Sequence, residues 1–395
     1  VIGNPPYISG RDFDKKDEKA KQFFNTNYET AEYQLDLYQL FIEKAYQIAK
    51  KNAQISFIIP NTWLANHKTI KLRNFVLNNL SLSEIVYSKE RIFNEADVDV
   101  IIFSATKDKS DNNLIVKEII SKNIQPKHKI PFYSFKQNEN QVFDIYVSEF
   151  ERSMIKKVEK TPLKIKDLFN VNRGIHPYRK DGYGQSKYTK GFQTEKDYEN
   201  RSYHAKRKIN KTYRAELRGR HIFPYYKTDS DEFVSYGRWL AEPRKPSFFE
   251  GNRIYLRKII GEKGLIATLI SEKENFIADQ SIYIAKPKKD ISIEFILAQL
   301  NSKLLGYYFR LKNNEFDRLF PQIKVDEFKN LPIKTDESKE KNEIIRLVKK
   351  IRVLKLKSRD ADISALTNKI DKLVYQIYEL SDDEIKHIEQ NYRMT

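Results

Sequence analysis

DLYQLFIEKAYQIAKKNAQISFIIPNTWL, residues 36–64, carries two periodicities back to back. Leu37, Leu40, Phe41, Ala45 and Ile48 recur at helical spacing, with Asp36 at the amino end and Lys50 and Lys51 beyond the carboxyl end, where they complement a helix dipole. Asn52 and Ala53 then turn the chain into QISFIIP, a continuous apolar run of the kind found in a strand buried on both faces. Asn61 and Thr62 supply cap chemistry for a second helix bearing Ile70, Leu72, Phe75 and Leu80. Helix, buried strand, helix predicts a wound α/β sheet. LSEIVYS (82–88) and DVDVIIFSA (97–105) add two strands on either side of RIFNEA (91–96).

Upstream, GNPPY (3–7) follows an apolar pair. Two consecutive prolines forbid helix and remove two backbone donors, so Asn4 to Tyr7 form a stiff loop whose carbonyls have fixed directions. Taken alone, Asn-Pro-Pro is also an ordinary strand-ending turn.

The 395 residues exceed the usual single-domain size, and 40% of them are apolar, enough to build two or three cores. No run approaches the roughly 18 apolar residues of a membrane span, and the first residues lack a basic start and cleavage site, so the expectation is a cytoplasmic protein with no membrane contact. Zero cysteines exclude disulfides and thiolate sites, and six scattered His residues show no paired ligand spacing; no metal is expected. The net charge of +18 implies a polyanionic partner. The excess sits mainly between Thr161 and Lys334, where 35 basic residues face 21 acidic ones. Aromatic residues interleaved with these Lys and Arg suit stacking on bases as well as core filling.

GNPPY, the 36–64 stretch and RIFNEADVDVIIFSATK (91–107), in that order and spacing, resemble the TaqI-like N6-adenine methyltransferases of restriction-modification systems. FNVNRGIHPYRKDGYGQ (169–185), ELRGRHIFPYY (216–226), LAQLNSKLLGYYF (297–309) and FPQIK (320–324) resemble the target-recognition region of the fused restriction-and-modification, type IIG, enzymes. The resemblance implies a fold of class α/β plus α+β. Part of a class I, Rossmann-like methyltransferase sheet (1–107) and a connector (108–160) would precede a mixed α/β target-recognition domain (161–334) and C-terminal helices (335–395). It implies S-adenosylmethionine as cofactor and double-stranded DNA as partner. The family's glycine-rich cofactor turn lies before the NPPY block, where this chain starts. The chain therefore reads as a fragment without the main cofactor-binding half, inactive in isolation, with methyltransferase and endonuclease portions upstream in its parent.

By the same resemblance, Asn4, Pro5, Pro6 and Tyr7 are catalytic. The Asn4 side-chain oxygen and Pro5 carbonyl accept the two N–H bonds of a flipped adenine's exocyclic amine, localising its lone pair for attack on the cofactor's methyl group. Tyr7 stacks on that base and Phe93 is the second ring. Tyr38 is a weaker candidate for a cofactor contact. For DNA, Arg173, His176, Arg179 and Lys180 flank Pro177 on an expected protruding loop. Asn200 to Arg220 holds eight Lys or Arg residues to one Glu: Arg201, Lys206, Arg207, Lys208, Lys211, Arg214, Arg218 and Arg220. His176-Pro177 replaces the family's usual threonine-glycine. Two readings stay open: a site-specific adenine methyltransferase, and a non-catalytic DNA-binding specificity module of a restriction-modification complex. Helical spacing in EIIRLVKKIRVLKLKS, from about Asp360 to Leu380, and in SDDEIKHIEQ predicts packed C-terminal helices.

Overall fold

A computed structural model describes residues 1–8, 18–32, 35–88, 92, 99–108, 113–262, 264–313 and 322–392. The chain forms two compact units, Val1–Arg152 and Ser153–Thr395.

The first unit is built on a six-stranded mixed sheet. Its strands are β1 (Ile2–Gly3), β2 (Gln54–Pro60), β3 (Ser81–Ser88), β4 (Val100–Thr106), β5 (Asn113–Ile120) and β6 (Asn123–Pro131), in spatial order β1-β2-β4-β3-β5-β6. β1 runs parallel to β2, with Ile2 opposite Ser56 and Gly3 opposite Phe57. β4 lies antiparallel between β2 and β3, β5 is parallel to β3, and β6 is antiparallel to β5. The predicted α/β sheet is present, with two differences in detail. β2 buries Ile55, Phe57 and Ile59 on one face while Ser56 and Ile58 on the other stay partly exposed, so it is covered unequally rather than equally. The stretch 108–160, read as a connector, supplies β5 and β6, and its Phe132, Phe135, Phe143 and Ile145 join the core of β2.

Helix α1 spans Glu18–Asn27, α2 Leu37–Ile48 and α3 Ile70–Asn79. In α2 the buried stripe is Tyr38, Ile42 and Ala45, whereas Phe41 and Ile48 are 44% and 63% exposed. The period was legible and its phase was not, because apolar residues flank the stripe on both sides. Buried Glu43 of α2 accepts hydrogen bonds from the backbone N–H of Thr30 at 2.8 Å and its hydroxyl at 2.9 Å, fixing the segment before the helix. Asn61–Leu64 is a single 3-10 turn, and Thr69, not Asn61 or Thr62, occupies the N-cap position of α3. Fully buried Arg73 closes the intervening turn by donating to the carbonyls of Trp63 at 2.7 Å and Asn66 at 2.8 Å.

The second unit has a central antiparallel sheet of β7 (Phe169–Arg173), β13 (Arg253–Arg257), β14 (Ala267–Ile270) and β16 (Ile282–Pro287), in order β14-β13-β16-β7. A second sheet holds β8 (His204–Ala205), β9 (Tyr213–Leu217), β12 (Phe233–Ser235) and β15 (Ile277–Ala278), in order β15-β9-β12-β8. Strands β10 (Ile222–Phe223) and β11 (Tyr226–Lys227) form a hairpin. Period-two alternation lets the central sheet face two cores. Ile254, Leu256, Tyr283 and Ala285 join a core with the helices Ile293–Leu300, Lys303–Asn313, Lys339–Lys357, Ser364–Ile377 and Asp382–Asn391. Tyr255, Ile282 and Ile284 face the opposite way, into a core with Leu217, Val234 and Ile277. The C-terminal helices, expected as a separate segment from 335, thus share one apolar core with the strands of 169–287, because their buried Ile344, Val348, Ile351 and Val374 have no other cover. Among the described residues no helix is long and apolar enough to cross a membrane.

Candidate active site and nucleic-acid interface

Asn4 to Tyr7 leave the carboxyl end of β1, beside its parallel neighbour β2. Pro5 is buried and Asn4 and Pro6 are exposed. The Tyr7 hydroxyl donates to the Ile58 carbonyl at 3.0 Å, and burial raises its pKa. Just beyond, the Leu37 backbone N–H donates to the Ile8 carbonyl at 3.1 Å, joining the loop to the start of α2. The loop is thus anchored on both sides of Asn4, whose side chain takes no hydrogen bond from any described residue. Tyr38 is buried in the core, and desolvation pushes its hydroxyl up to about 12. Phe93 lies outside the described residues.

In the second unit, β7 ends at Arg173-Gly174. A Cβ at Gly174 would lie 2.0 Å from the Asp279 carbonyl oxygen, so only glycine permits this approach. Ile175 N–H donates to the Ala278 carbonyl at 2.8 Å, and His176 exchanges backbone hydrogen bonds with Glu242 at 3.0 and 2.9 Å. Residues 175–178 are therefore tied into the unit, and the expected protruding loop begins only at Arg179.

The twelve basic candidates divide by their partners. Arg179 donates to Asp181 at 2.9 and 2.6 Å and to Glu242 at 3.1 Å. Lys180 pairs with Glu195, and Arg220 with Asp231 at 2.7 Å. Arg201 pairs with Glu232 at 2.6 Å, while Arg218 bonds Glu216 at 2.9 Å and also reaches Glu232. His176 sits 3.8 Å from Glu242, its pKa lowered by burial. Arg214 lies over the rings of Tyr236 and Phe249, 5.4 and 5.9 Å from their centroids, its pKa also lowered by burial. Lys206, Arg207, Lys208, Lys211 and Arg173 remain exposed and without a carboxylate partner among the described residues. Local sequence separates these classes only in part: Asp181 and Glu216 lie two residues from Arg179 and Arg218, whereas Glu232 and Glu242 are far along the chain from the arginines they neutralise.

Behind this surface lies a polar network that composition did not reveal. The Tyr178 hydroxyl accepts from the Tyr203 N–H at 2.7 Å, so its own proton points to His204 Nδ1, also at 2.7 Å. His204 Nε2 then donates to the buried Glu216 carboxylate at 3.2 Å. Burial opposes the Glu216 charge, yet His204 and Arg218 outweigh it and hold the carboxyl below its ordinary value. His204, Glu216 and Glu232 bring ligand atoms within 4.8 Å of one another, the one grouping among the described residues with the spacing to hold a metal ion. Arg201 and Arg218 already supply the positive charge there. The network borders a cavity of about 380 Å³ lined by Tyr198, Arg201, Arg218, Asp279 and Gln280 among others.

Residues 1–93 match the family described as Eco57I restriction-modification methylase, and residues 214–333 the TaqI-like C-terminal specificity domain. The type II restriction enzyme and methyltransferase RM.Eco57I of Escherichia coli is 27% identical over 113 residues, covering 28% of this chain and 11% of that protein. The putative type II restriction enzyme and methyltransferase RM.MjaORFECS2P of Methanocaldococcus jannaschii is 24% identical over 399 residues, covering 96% of this chain and 31% of that one. The chain thus spans a third or less of the length of these relatives. The type IIL restriction-modification enzyme MmeI, solved in complex with DNA, shares the fold with a TM-score of 0.54 at 14% identity, over 99% of this chain and 56% of that one. Residues 1–93 are thus similar to an Eco57I-type restriction-modification methylase, and residues 214–333, within the second unit, to a TaqI-like specificity domain.

Proposed function

We propose that this chain is part of a site-specific DNA adenine-N6 methyltransferase, in which the Asn4–Tyr7 loop receives an extruded adenine and the second unit binds duplex DNA. The observation that carries the reading is an exposed, unengaged amide on a loop pinned at Pro5 and Tyr7, at the carboxyl end of a parallel strand. Open α/β sheets bind ligands at that edge.

The residues present fit the base side of such a site. An adenine amine is a weak nucleophile because its lone pair is delocalised into the ring. Asn4 Oδ1 and the Pro5 carbonyl accept its two N–H bonds, which draws the pair back onto nitrogen. Pro5 and Pro6 hold these acceptors in place beforehand, so little reorganisation is needed during reaction. The Tyr7 ring, fixed through Ile58, supports one face of the base, and Phe93 is proposed for the other. S-adenosylmethionine, when bound, would supply an electrophilic methyl group. Extrusion costs a few kcal/mol, which stacking and edge hydrogen bonds offset. In the second unit Lys206, Arg207, Lys208 and Lys211 contact phosphates, and exposed Arg173 is the candidate for base readout.

The test is product identity. Duplex DNA incubated with the intact protein and methyl-labelled cofactor is digested to nucleosides, and label is expected in N6-methyl-2′-deoxyadenosine alone. Label in cytosine would overturn the base assignment, and no label with DNA binding retained would favour the specificity-module reading.

A further inference from the structure

The excursion from Arg179 to Tyr198 is closed at its base. Asp197 is fully buried and accepts from the Ser186 hydroxyl at 2.6 Å, the Lys187 N–H at 2.9 Å, and the Thr194 N–H and hydroxyl, both at 3.1 Å. Burial pushes its carboxyl up, but these bonds outweigh that and bring it to about 2. Buried Gln193 donates to the carbonyls of Pro177 at 2.9 Å and Trp239 at 3.3 Å and accepts from the Arg179 N–H at 3.0 Å. Ser186 N–H bonds the Gly191 carbonyl at 3.0 Å, closing an inner loop.

With Gln193 anchored inward, Phe192 beside it points out and is 65% exposed. A single exposed ring is unremarkable on a protein surface. Here Tyr183 and Tyr188 are exposed on the same loop, and Lys187, Lys190 and Lys196 carry no carboxylate partner among the described residues. Lys196 lies over the Tyr188 ring at 4.6 Å, and Lys187 over Tyr203 at 4.9 Å. A tied-down loop presenting the exposed Phe192 ring among unneutralised cations is complementary to a polyanion with aromatic faces. Little conformational freedom remains to be lost when it docks.

We infer that residues 183–192 are a base-stacking wedge of the DNA interface, with Phe192 as the stacking ring and Lys187 and Lys190 on the flanking phosphates. This rests on the reading of the second unit as DNA-binding. Stacking on a base is worth a roughly 5- to 150-fold change in affinity and is indifferent to salt, whereas each phosphate contact adds about 0.9 to the slope of log affinity against log salt. The two contributions are therefore separable.

The experiment uses the full chain and a duplex enriched by it from a randomised pool. Phe192→Ala should weaken binding within that range with the salt slope and melting temperature unchanged, and Phe192→Trp should restore it. Lys187→Ala with Lys190→Ala should lower the slope by about two. Parental affinity for Phe192→Ala, a lowered melting temperature, or no rescue by tryptophan would overturn the wedge while leaving DNA binding intact. Failure of the parent chain to enrich any duplex would instead overturn the DNA-binding reading, and the wedge with it.

Discussion

The Tyr7 hydroxyl donates to the Ile58 carbonyl at 3.0 Å, binding the loop after β1 to the strand beside it. On the proposed reading the side chain has two parts to play, a tether through its oxygen and a ring that stacks on the extruded base. Tyr7→Phe removes only the tether, at about 0.5–1.5 kcal/mol. Tyr7→Ala removes the ring as well, and with it a platform worth roughly 1–3 kcal/mol. Methylation by Tyr7→Phe should stay within about tenfold of the parent, and Tyr7→Ala should show weaker capture of an extruded base. Fluorescence of 2-aminopurine at the target position reads the capture step. Equal effects from the two variants would refute the division.

The split among basic residues predicts opposite phenotypes. Replacing Lys206, Arg207, Lys208 and Lys211 together by Ala should lower the salt slope of duplex binding by three to four, at about 0.9 each, and leave the melting temperature alone. Arg218→Ala should do the reverse, because it strips a partner from buried Glu216, and breaking a buried pair costs about 3–5 kcal/mol. Salt-dependent binding isotherms and melting curves on the same preparations check both.

These two groups also show what local sequence can and cannot reveal. The 206–211 run stands out because no acid lies within it, and its cations have no carboxylate partner among the described residues. Arg179 and Arg218 each have an acid two residues away, Asp181 and Glu216, but their second partners, Glu242 and Glu232, are brought to them by chain folding. The helix over 36–48 was legible from its period, yet its buried face was set by tertiary packing on Tyr38, Ile42 and Ala45. β5 and β6 were hidden for another reason. β6 is largely exposed and polar, reading NIQPKHKIP, and gains its strand character from pairing with β5 rather than from an apolar pattern. The Asn4–Tyr7 loop needed no tertiary information, since two prolines fix it locally.

Gly174→Ala should be among the most damaging single substitutions in the second unit. The new methyl would meet backbone oxygens of Asp279 at 2.0 Å and Ala278 at 2.4 Å, which cannot rotate away. Overpacking of this kind costs about 1–3 kcal/mol or more. Denaturant midpoints should fall accordingly, and an unchanged midpoint would contradict the close approach.

Burial raises the Asp279 carboxyl to about 6 from its ordinary 3.8. A raised acid binds its proton more tightly in the folded state, so its contribution favours folding below pH 4 and fades as pH climbs through 6. Above pH 6 the buried charge is a net cost. Asp279→Asn keeps an acceptor for the Ser281 N–H, 2.9 Å away. It should raise the melting temperature at pH 8 and leave it nearly unchanged at pH 4. The opposite pH trend would show that the carboxylate is stabilised in place.

The central claim is that the Asn4 amide acts in the chemical step and not in the fold. Single-turnover methylation of adenine-containing duplex by the intact protein, with and without Asn4→Ala and corrected for folded fraction, tests it most directly. Loss of a preorganised hydrogen bond to the reacting group predicts a fall of roughly a hundredfold to a thousandfold, with duplex affinity and melting temperature unchanged. A rate near that of the parent would contradict it and leave the NPPY loop as a turn that only ends β1.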